Sequence, residues 1–464
     1  MDKKARLVFE EKIIKSLYGK IKLLQDTFEK IKFVNEALIE IFNSDEKGDF
    51  KKEMEELTDP AVRDQFVKDF LSYGVIHDLL RDLEVEDIII NDTNPIYIHH
   101  SQKGLISVDK RFENLFELDV FVKKLVLFSG RKKTECVMNI ELPNLEGRIN
   151  IIKAPFGPQL TITKAKMSPL SILNLIDQGS MTYEVAAHLW LYMEGMSIRP
   201  ANMIIAGGPG VGKTTLLNAL FSFIPETDRV VVMEDTLELN TEFDYSCSRL
   251  ESGDDFTLAD LVKNSLRMRP ERIVVGEVRG EEARDMITAA NIGKYFVGTI
   301  HALSSREAII RLQNEPMNIP QQLIRLVDVF IVLKRYHSGM KPFRVIDEVS
   351  ESSGMEQEKV LLSHIYKYDY EQQTQVGMST STVYRDRLSH EAGLLPKDLI
   401  MEIQIRAFLL EELAKRDHKT MKEVTAFCRA YNRDPDGAVA SLGFNRDDLF
   451  GKNYMDGRRQ RTRK

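Results

Sequence analysis

The segment Gly207-Gly208-Pro209-Gly210-Val211-Gly212-Lys213-Thr214 constrains this chain more than any other feature. It matches the phosphate-loop pattern in full. It follows a short apolar run at 203–206 and opens a helical segment at 214–223. Glycines so placed let successive backbone N–H groups point inward, and the helix N-terminus adds partial positive charge. Lys213 is placed to neutralise the β- and γ-phosphates of a nucleotide. The Thr214 hydroxyl is placed to take one position on Mg²⁺, and Thr215 closes the binding segment.

Three further elements follow at strand ends. Residues 273–275 are apolar and lead into Gly276-Glu277, an acid that can hold Mg²⁺ through water or hold water itself. Residues 230–233 lead into Glu234-Asp235-Thr236-Leu237-Glu238. Glu234 is the candidate general base for water and Glu238 the fallback, at the carboxyl edge of a parallel sheet where ligands collect. Residues 296–300 lead into His301, placed to sense a γ-phosphate. Arg249, Arg267, Arg269 and Arg279 fall around these elements. A phosphoryl transition state commonly draws an arginine from a neighbouring subunit, so ring assembly is expected, with Arg279 the catalytic candidate.

Around the loop, apolar runs at 203–206, 230–233, 273–275, 296–300, 327–333 and 343–349 alternate with helical segments. Runs apolar throughout predict a mainly parallel sheet covered on both faces. The last two, separated by a polar turn at His337-Ser338-Gly339, predict an antiparallel hairpin. The fold class is therefore α/β, with helical segments at both ends.

Upstream, residues 60–164 read as α+β: helix at 66–82 and 118–128, strands at 86–90, 96–99, 149–152 and 160–163. His99-His100 suggests a metal pair, but adjacent strand residues point to opposite faces, which favours a surface role. Near the N-terminus Ile14, Leu17, Ile21, Leu24, Phe28, Ile31, Asn35 and Leu38 keep heptad spacing. That seam serves either a helical hairpin packed on its own protein or a coiled coil with a partner. After about residue 350 the pattern turns helical, with Ile400, Ile403, Ala407, Leu410 and Ala414 forming a stripe. A basic tail, Arg458-Arg459-Gln460-Arg461-Thr462-Arg463-Lys464, ends the chain. It is either solvated or meets an anionic lipid or acidic partner. The expected division is 1–59 helical, 60–165 α+β, 166–350 the nucleotide-binding domain and 351–464 helical.

Composition narrows the function. Across 464 residues, 43% are hydrophobic and 29% charged, which fits folded domains and not a disordered chain. The net charge of -7 and single Trp offer no general grip on nucleic acid, so a nucleic-acid motor is the lesser alternative. The three cysteines are scattered, which excludes a disulfide scaffold and suits a reducing compartment. No apolar run reaches transmembrane length, and the charged start Met1-Asp2-Lys3-Lys4 argues against a signal peptide. A GTPase switch would want an Asn-Lys-x-Asp motif after the loop, and none occurs.

Taken together, these elements resemble the type II/IV secretion ATPase superfamily, which includes secretion, type IV pilus and archaellum motors. The specific match is Leu266-Arg267-Met268-Arg269-Pro270 followed by Val275-Gly276-Glu277-Val278-Arg279-Gly280-Glu281-Glu282-Ala283. By that resemblance 234–238 is the aspartate box, Gly276-Glu277 the atypical second Walker element and His301 the histidine box. Residues 314–320 and 384–434 look most like the archaeal branch. The resemblance implies a RecA-like core, ATP and Mg²⁺, and a homo-hexamer. It also implies a cytoplasmic location at the inner face of the membrane, docking on a polytopic platform protein and its secretion or pilus machinery. Three positions depart from the family: Gly293-Lys294 for Gly-His, Leu303 for Asn, and Thr161-Ile162-Thr163-Lys164-Ala165 for Thr-Ile-Arg-Lys-Phe. The last removes an arginine that the family directs at nucleotide, with Lys164 or Arg148 as substitutes.

Overall fold

In the computed structural model the described residues are 3–21, 26–44, 50–101, 103–131, 134–142, 147–164, 169–240, 246–253, 255–338, 341–357, 359–379 and 382–446. The basic tail and Leu24 of the heptad seam lie outside them. The chain divides into two units, Met1–Met167 and Ser168–Lys464.

The first unit holds six strands: β1 (Val85–Ile90), β2 (Ile96–His100), β3 (Gly104–Val108), β4 (Val137–Leu142), β5 (Gly147–Ala154) and β6 (Gly157–Lys164). All pairings are antiparallel, in the order β3-β2-β1-β6-β5-β4. Residues 66–82 are not one helix: Pro60–Leu71 ends at Ser72, and a 3₁₀ turn and a short helix follow. Ile14 and Leu17 belong to helix Lys3–Leu17, and Phe28, Ile31, Asn35 and Leu38 to helix Thr27–Ser44, with Ile21 in the bend after the first. Ile14, Leu17, Ile21 and Leu38 are buried in this unit's own apolar cluster, whereas Phe28 is 76% exposed. That burial is what a hairpin packed on its own protein requires. His99 Nδ1 sits 3.3 Å from Glu86, and no described group of three or more His, Cys, Asp or Glu could cage a metal.

The second unit is built on a nine-stranded sheet. Its strands are β7 (Met203–Gly207), β8 (Val230–Glu234), β9 (Ser248–Glu251), β10 (Arg272–Val275), β11 (Tyr295–Ile300), β12 (Val329–Ser338), β13 (Lys341–Glu356), β14 (Lys359–Asp369) and β15 (Thr374–Gly377). The order is β15-β14-β13-β12-β7-β11-β10-β8-β9, parallel from β12 to β9 and antiparallel from β12 to β15. The strand that feeds the phosphate loop lies inside the sheet, between β12 and β11, in a mainly parallel α/β core.

Alternate residues of each central strand enter different cores. Met203 and Ile205 pack in one apolar cluster, Ile204 and Ala206 in another; Val230 and Val232 divide from Val231 and Met233 in the same way. Both faces are therefore covered, which is why these runs are apolar throughout.

The reading that the chain turns helical after residue 350 is corrected. β13 continues to Glu356, β14 and β15 follow, and helix resumes only at Val383. Of the stripe on helix Pro396–Lys415, Ile403 and Leu410 are buried and Ala407 and Ala414 pack against the same cluster, while Ile400 is 39% exposed; Leu399, Glu402, Arg406, Leu409 and Leu413 are buried as well. The charged pair is admitted because Arg406 reaches Glu194 at 2.7 Å and Glu402 at 3.1 Å, and lies over the Trp190 ring at 4.8 Å. Leu399, Leu409 and Leu413 share the apolar cluster of Leu216 and Leu217 on the phosphate-loop helix.

Candidate functional site

The parallel strands end on one edge of the sheet, and four of them, β7, β8, β10 and β11, lead into chemically active residues. β7 runs into the phosphate loop, where Gly210 and Gly212 take φ of +66° and +98°. These left-handed values favour glycine and let the loop curl before helix Lys213–Leu220 begins. Val211 and Lys213 are buried, and Thr214 lies in the first helical turn. Lys213 Nζ donates to the carbonyls of Gly207 at 3.0 Å and Gly208 at 2.9 Å, so the ammonium is held at the loop mouth.

The neighbours of β7 decide what that ammonium meets. β11 lies beside β7, β10 beside β11, and β8 beside β10. His301, just past β11, places Nδ1 3.2 Å from Lys213 Nζ and Nε2 2.8 Å from Glu277 Oε1. Glu277 Oε2 in turn accepts from Arg279 Nη2 at 2.7 Å, and Arg279 Nη1 lies 3.7 Å from Asp235. Lys213, His301, Glu277 and Arg279 therefore form an unbroken contact chain along the sheet edge.

The charges follow from this packing. Burial alone would raise the Glu277 carboxyl, but the bond and charge of Arg279, with His301 and Lys213, hold it below its ordinary value. Burial and the Lys213 charge press His301 below its usual pKa, against the pull of Glu277. A neutral ring protonated on Nε2 accepts from Lys213 and donates to Glu277. Burial also lowers the Lys213 pKa, with Glu277 opposing.

Glu234 ends β8 and is 3% exposed. Its Oε1 accepts from the backbone N–H of Glu238 at 3.0 Å and of Leu239 at 3.1 Å, and so staples the loop after β8. Burial raises its carboxyl to about 7, although those amides and Arg249 act in the other direction. Glu238 is exposed, and its charge is felt by both Lys213 and Arg279. The glycine before Glu277 has a local cause. A Cβ at 276 would stand 2.8 Å from Glu234 Cγ, so the buried acid and the glycine are one packing unit. Thr299 Oγ1 donates to the Gly276 carbonyl at 2.6 Å and ties β11 to the same turn.

Thr214 and Glu277 offer oxygen donors of the kind Mg²⁺ takes alongside nucleotide phosphates. An ionised Glu277 fits that ion, which needs no all-protein cage. Of the remaining arginines, Arg249 acts electrostatically on Glu234. Arg267 and Arg269 are exposed and make no hydrogen bond or ion pair among the described residues. Lys164 Nζ donates to the carbonyls of Leu79 and Asp82, and Arg148 stands across from Thr163. Leu303 is 60% exposed, and its N–H donates to Glu307.

Two residues at the site escaped sequence reasoning. Arg311, on helix Ser305–Gln313, donates to the His301 carbonyl at 2.9 Å. Its position in the last turn of the helix after His301 is a weak signal. Arg344, on β13, donates to the Gly210 carbonyl at 3.0 Å. No local pattern marks it, because its neighbour is a loop more than a hundred residues earlier in the chain.

Comparison with known proteins bears on this geometry. The family described as Type II/IV secretion system protein matches residues 131–335. An uncharacterized protein of Methanocaldococcus jannaschii is 30% identical over 379 residues, 77% of this chain and 68% of that one. The conjugal transfer protein TrbB of Rhizobium radiobacter is 28% identical over 58% of this chain and 84% of its own length. The crystal structure of the pilus retraction motor PilT with bound ADP aligns over 82% of this chain and 99% of that one, at 14% identity and a TM-score of 0.45.

Proposed function

We propose, from the premise that this chain belongs to the type II/IV secretion ATPase superfamily, that it is a Mg²⁺-dependent ATP hydrolase working as a ring motor. Its work would be assembly or movement of a type IV pilus- or archaellum-like filament, or secretion. The observation that carries this reading is the contact chain Lys213–His301–Glu277–Arg279 along one sheet edge. An ammonium, a neutral imidazole and an ionised carboxylate meet beside a phosphate-binding turn, where a triphosphate would place its terminal group.

The residues divide the work. Segment 207–215 cradles the phosphates through its backbone N–H groups, and Lys213 neutralises the β/γ end. Thr214 and Glu277 would hold Mg²⁺, which when bound offsets phosphate charge. His301 reports the γ-phosphate: a phosphate oxygen that draws Lys213 away from Nδ1 leaves the ring answering to Glu277 alone. Glu234 is the proposed base for water, since a carboxyl near 7 is well matched to proton transfer at neutral pH. Glu238 is the second candidate. Arg279 steadies Glu277 within its own chain and is exposed enough to meet a neighbouring copy.

A homo-hexamer docked on a polytopic membrane protein, at the cytoplasmic face, completes the proposal. No described helix is long and apolar enough to cross a membrane, so docking would be peripheral. The test is ATP turnover by Lys213→Ala and Glu277→Gln, with folding checked by melting. Both should lose turnover by about a hundredfold or more. Wild-type rates in either would remove the site assignment. Sedimentation with a non-hydrolysable ATP analogue should find hexamers; protomers alone would remove the ring.

A further inference from the structure

β12 does not stop where β7 stops. Its pairing with β7 ends at Leu333 opposite Gly207, the first residue of the loop. β12 nevertheless runs on to Ser338 and pairs with β13 from Lys341. The hairpin therefore overhangs the phosphate loop. On it Arg335 stands directly across from Arg344. Opposed residues of an antiparallel pair share a face with Cβ atoms about 4.5–5.5 Å apart, and like charges there repel.

No acidic side chain among the described residues pairs with either arginine to relieve that repulsion, and both arginines are exposed. The hairpin does neutralise the adjacent cation, since Lys334 Nζ lies 2.7 Å from Asp347. Arg344 is pinned by its Nε–H to the Gly210 carbonyl at 3.0 Å. Its Cδ lies 3.8 Å from where a Cβ on Gly212 would stand. That bond leaves both Nη groups without a partner among the described residues. One pinned guanidinium, with a second arginine directly across the strand pair, on the rim of a phosphate-binding turn has the makings of an anion site.

We propose that Arg344 and Arg335 grip a phosphate of the nucleoside di- or triphosphate seated in the loop, from outside the loop itself. This rests on the reading of 207–215 as a nucleotide site and assigns that site two further binding residues. A phosphate between the guanidiniums makes charge-assisted bonds and cancels the repulsion, so nucleotide tightens the β12–β13 hairpin as it binds.

The test titrates fluorescent mant-ADP and mant-ATP into the full chain with Mg²⁺, for wild type, Lys213→Ala, Arg344→Gln and Arg335→Gln. Melting temperatures are recorded with and without ADP. Arg344→Gln should weaken both nucleotides about tenfold, and Arg335→Gln several-fold. Arg335→Gln should melt at or above wild type without nucleotide and show a smaller rise with ADP. Arg335 makes no hydrogen bond or ion pair with the loop among the described residues, so this variant carries the test if Arg344→Gln folds poorly. Wild-type affinity and a wild-type ADP-induced rise in the arginine variants would overturn the inference and leave the loop reading intact. Retained affinity with lost self-association would also overturn it, assigning the pair to a carboxylate of a second copy. A wild-type chain that binds neither nucleotide would remove the loop reading instead.

Discussion

His301 Nε2 lies 2.8 Å from Glu277 Oε1, and the contact joins residues that follow two different strands, β11 and β10. The same ring meets Lys213 through Nδ1. An imidazole between a cation and an anion couples the phosphate end of the site to its acid end, and either change of charge is felt at the other.

That placement predicts a split in the behaviour of His301→Ala. Nucleotide affinity should stay within about threefold, because Lys213 and the loop amides remain, while turnover falls by about a hundredfold. Equilibrium binding of labelled ADP alongside steady-state hydrolysis measures both. Equal loss in the two would show that the ring serves binding.

Gly276→Ala should disturb Glu234 and little else. Its Cβ would stand 2.8 Å from Glu234 Cγ and 3.3 Å from Oε1, a close approach costing about 1–3 kcal/mol. Urea denaturation of Gly276→Ala, Glu234→Ala and the double variant tests this. The second substitution should recover much of the first one's cost, because the two are in contact. Simple additivity would place the strain elsewhere.

The pH dependence of stability should carry a mark of Glu234. Its folded-state carboxyl, at about 7, binds its proton more tightly than the ordinary value of 4.5. The contribution is therefore fully present below pH 4.5 and lost as pH rises through about 7. Glu234→Gln keeps a carbonyl oxygen for the amides of Glu238 and Leu239 but cannot ionise. Relative to wild type it should gain stability between about pH 5 and pH 8.5, by at most about 3 kcal/mol. A relative loss over that range would mean that the amides and Arg249 hold the acid ionised.

In helix Pro396–Lys415 the buried pair should matter and the surface pairs should not. Arg406→Leu leaves Glu194 and part of Glu402 without their buried cation, a loss of about 3–5 kcal/mol. Lys415→Ala removes contacts with Glu411 and Glu412 at the surface and should leave the denaturation midpoint at the wild-type value. Denaturation midpoints separate the two, and comparable effects would contradict the burial argument.

Much of this molecule was legible from local sequence. Segment 207–214 states its own conformation, because glycine at 210 and 212 is what left-handed backbone favours and lysine is what phosphate needs. Runs such as 203–206 and 230–233 announce strands covered on both faces, since alternate residues enter different cores. Strand β14 was missed although Val360, Tyr366 and Tyr368 supply the residue types, because polar residues between them blur the period. Nothing in the sequence marks Glu402 and Arg406 as buried, because a charge carries no sign of the partner that lets it be buried.

The amino-acid order by itself determined which chemistry is present and that each active residue ends a strand, because those are properties of neighbours along the chain. Only the tertiary structure decided who stands beside whom. Chain order is Lys213, Glu234, Glu277, His301, but sheet order is β7, β11, β10, β8, so His301 comes between Lys213 and Glu277, and Glu234 comes after them. The same holds for Arg344, which reaches Gly210 only because β12 outruns β7. Strand order and overhang are set by burial across the whole sheet, a sum over distant residues that no local window contains.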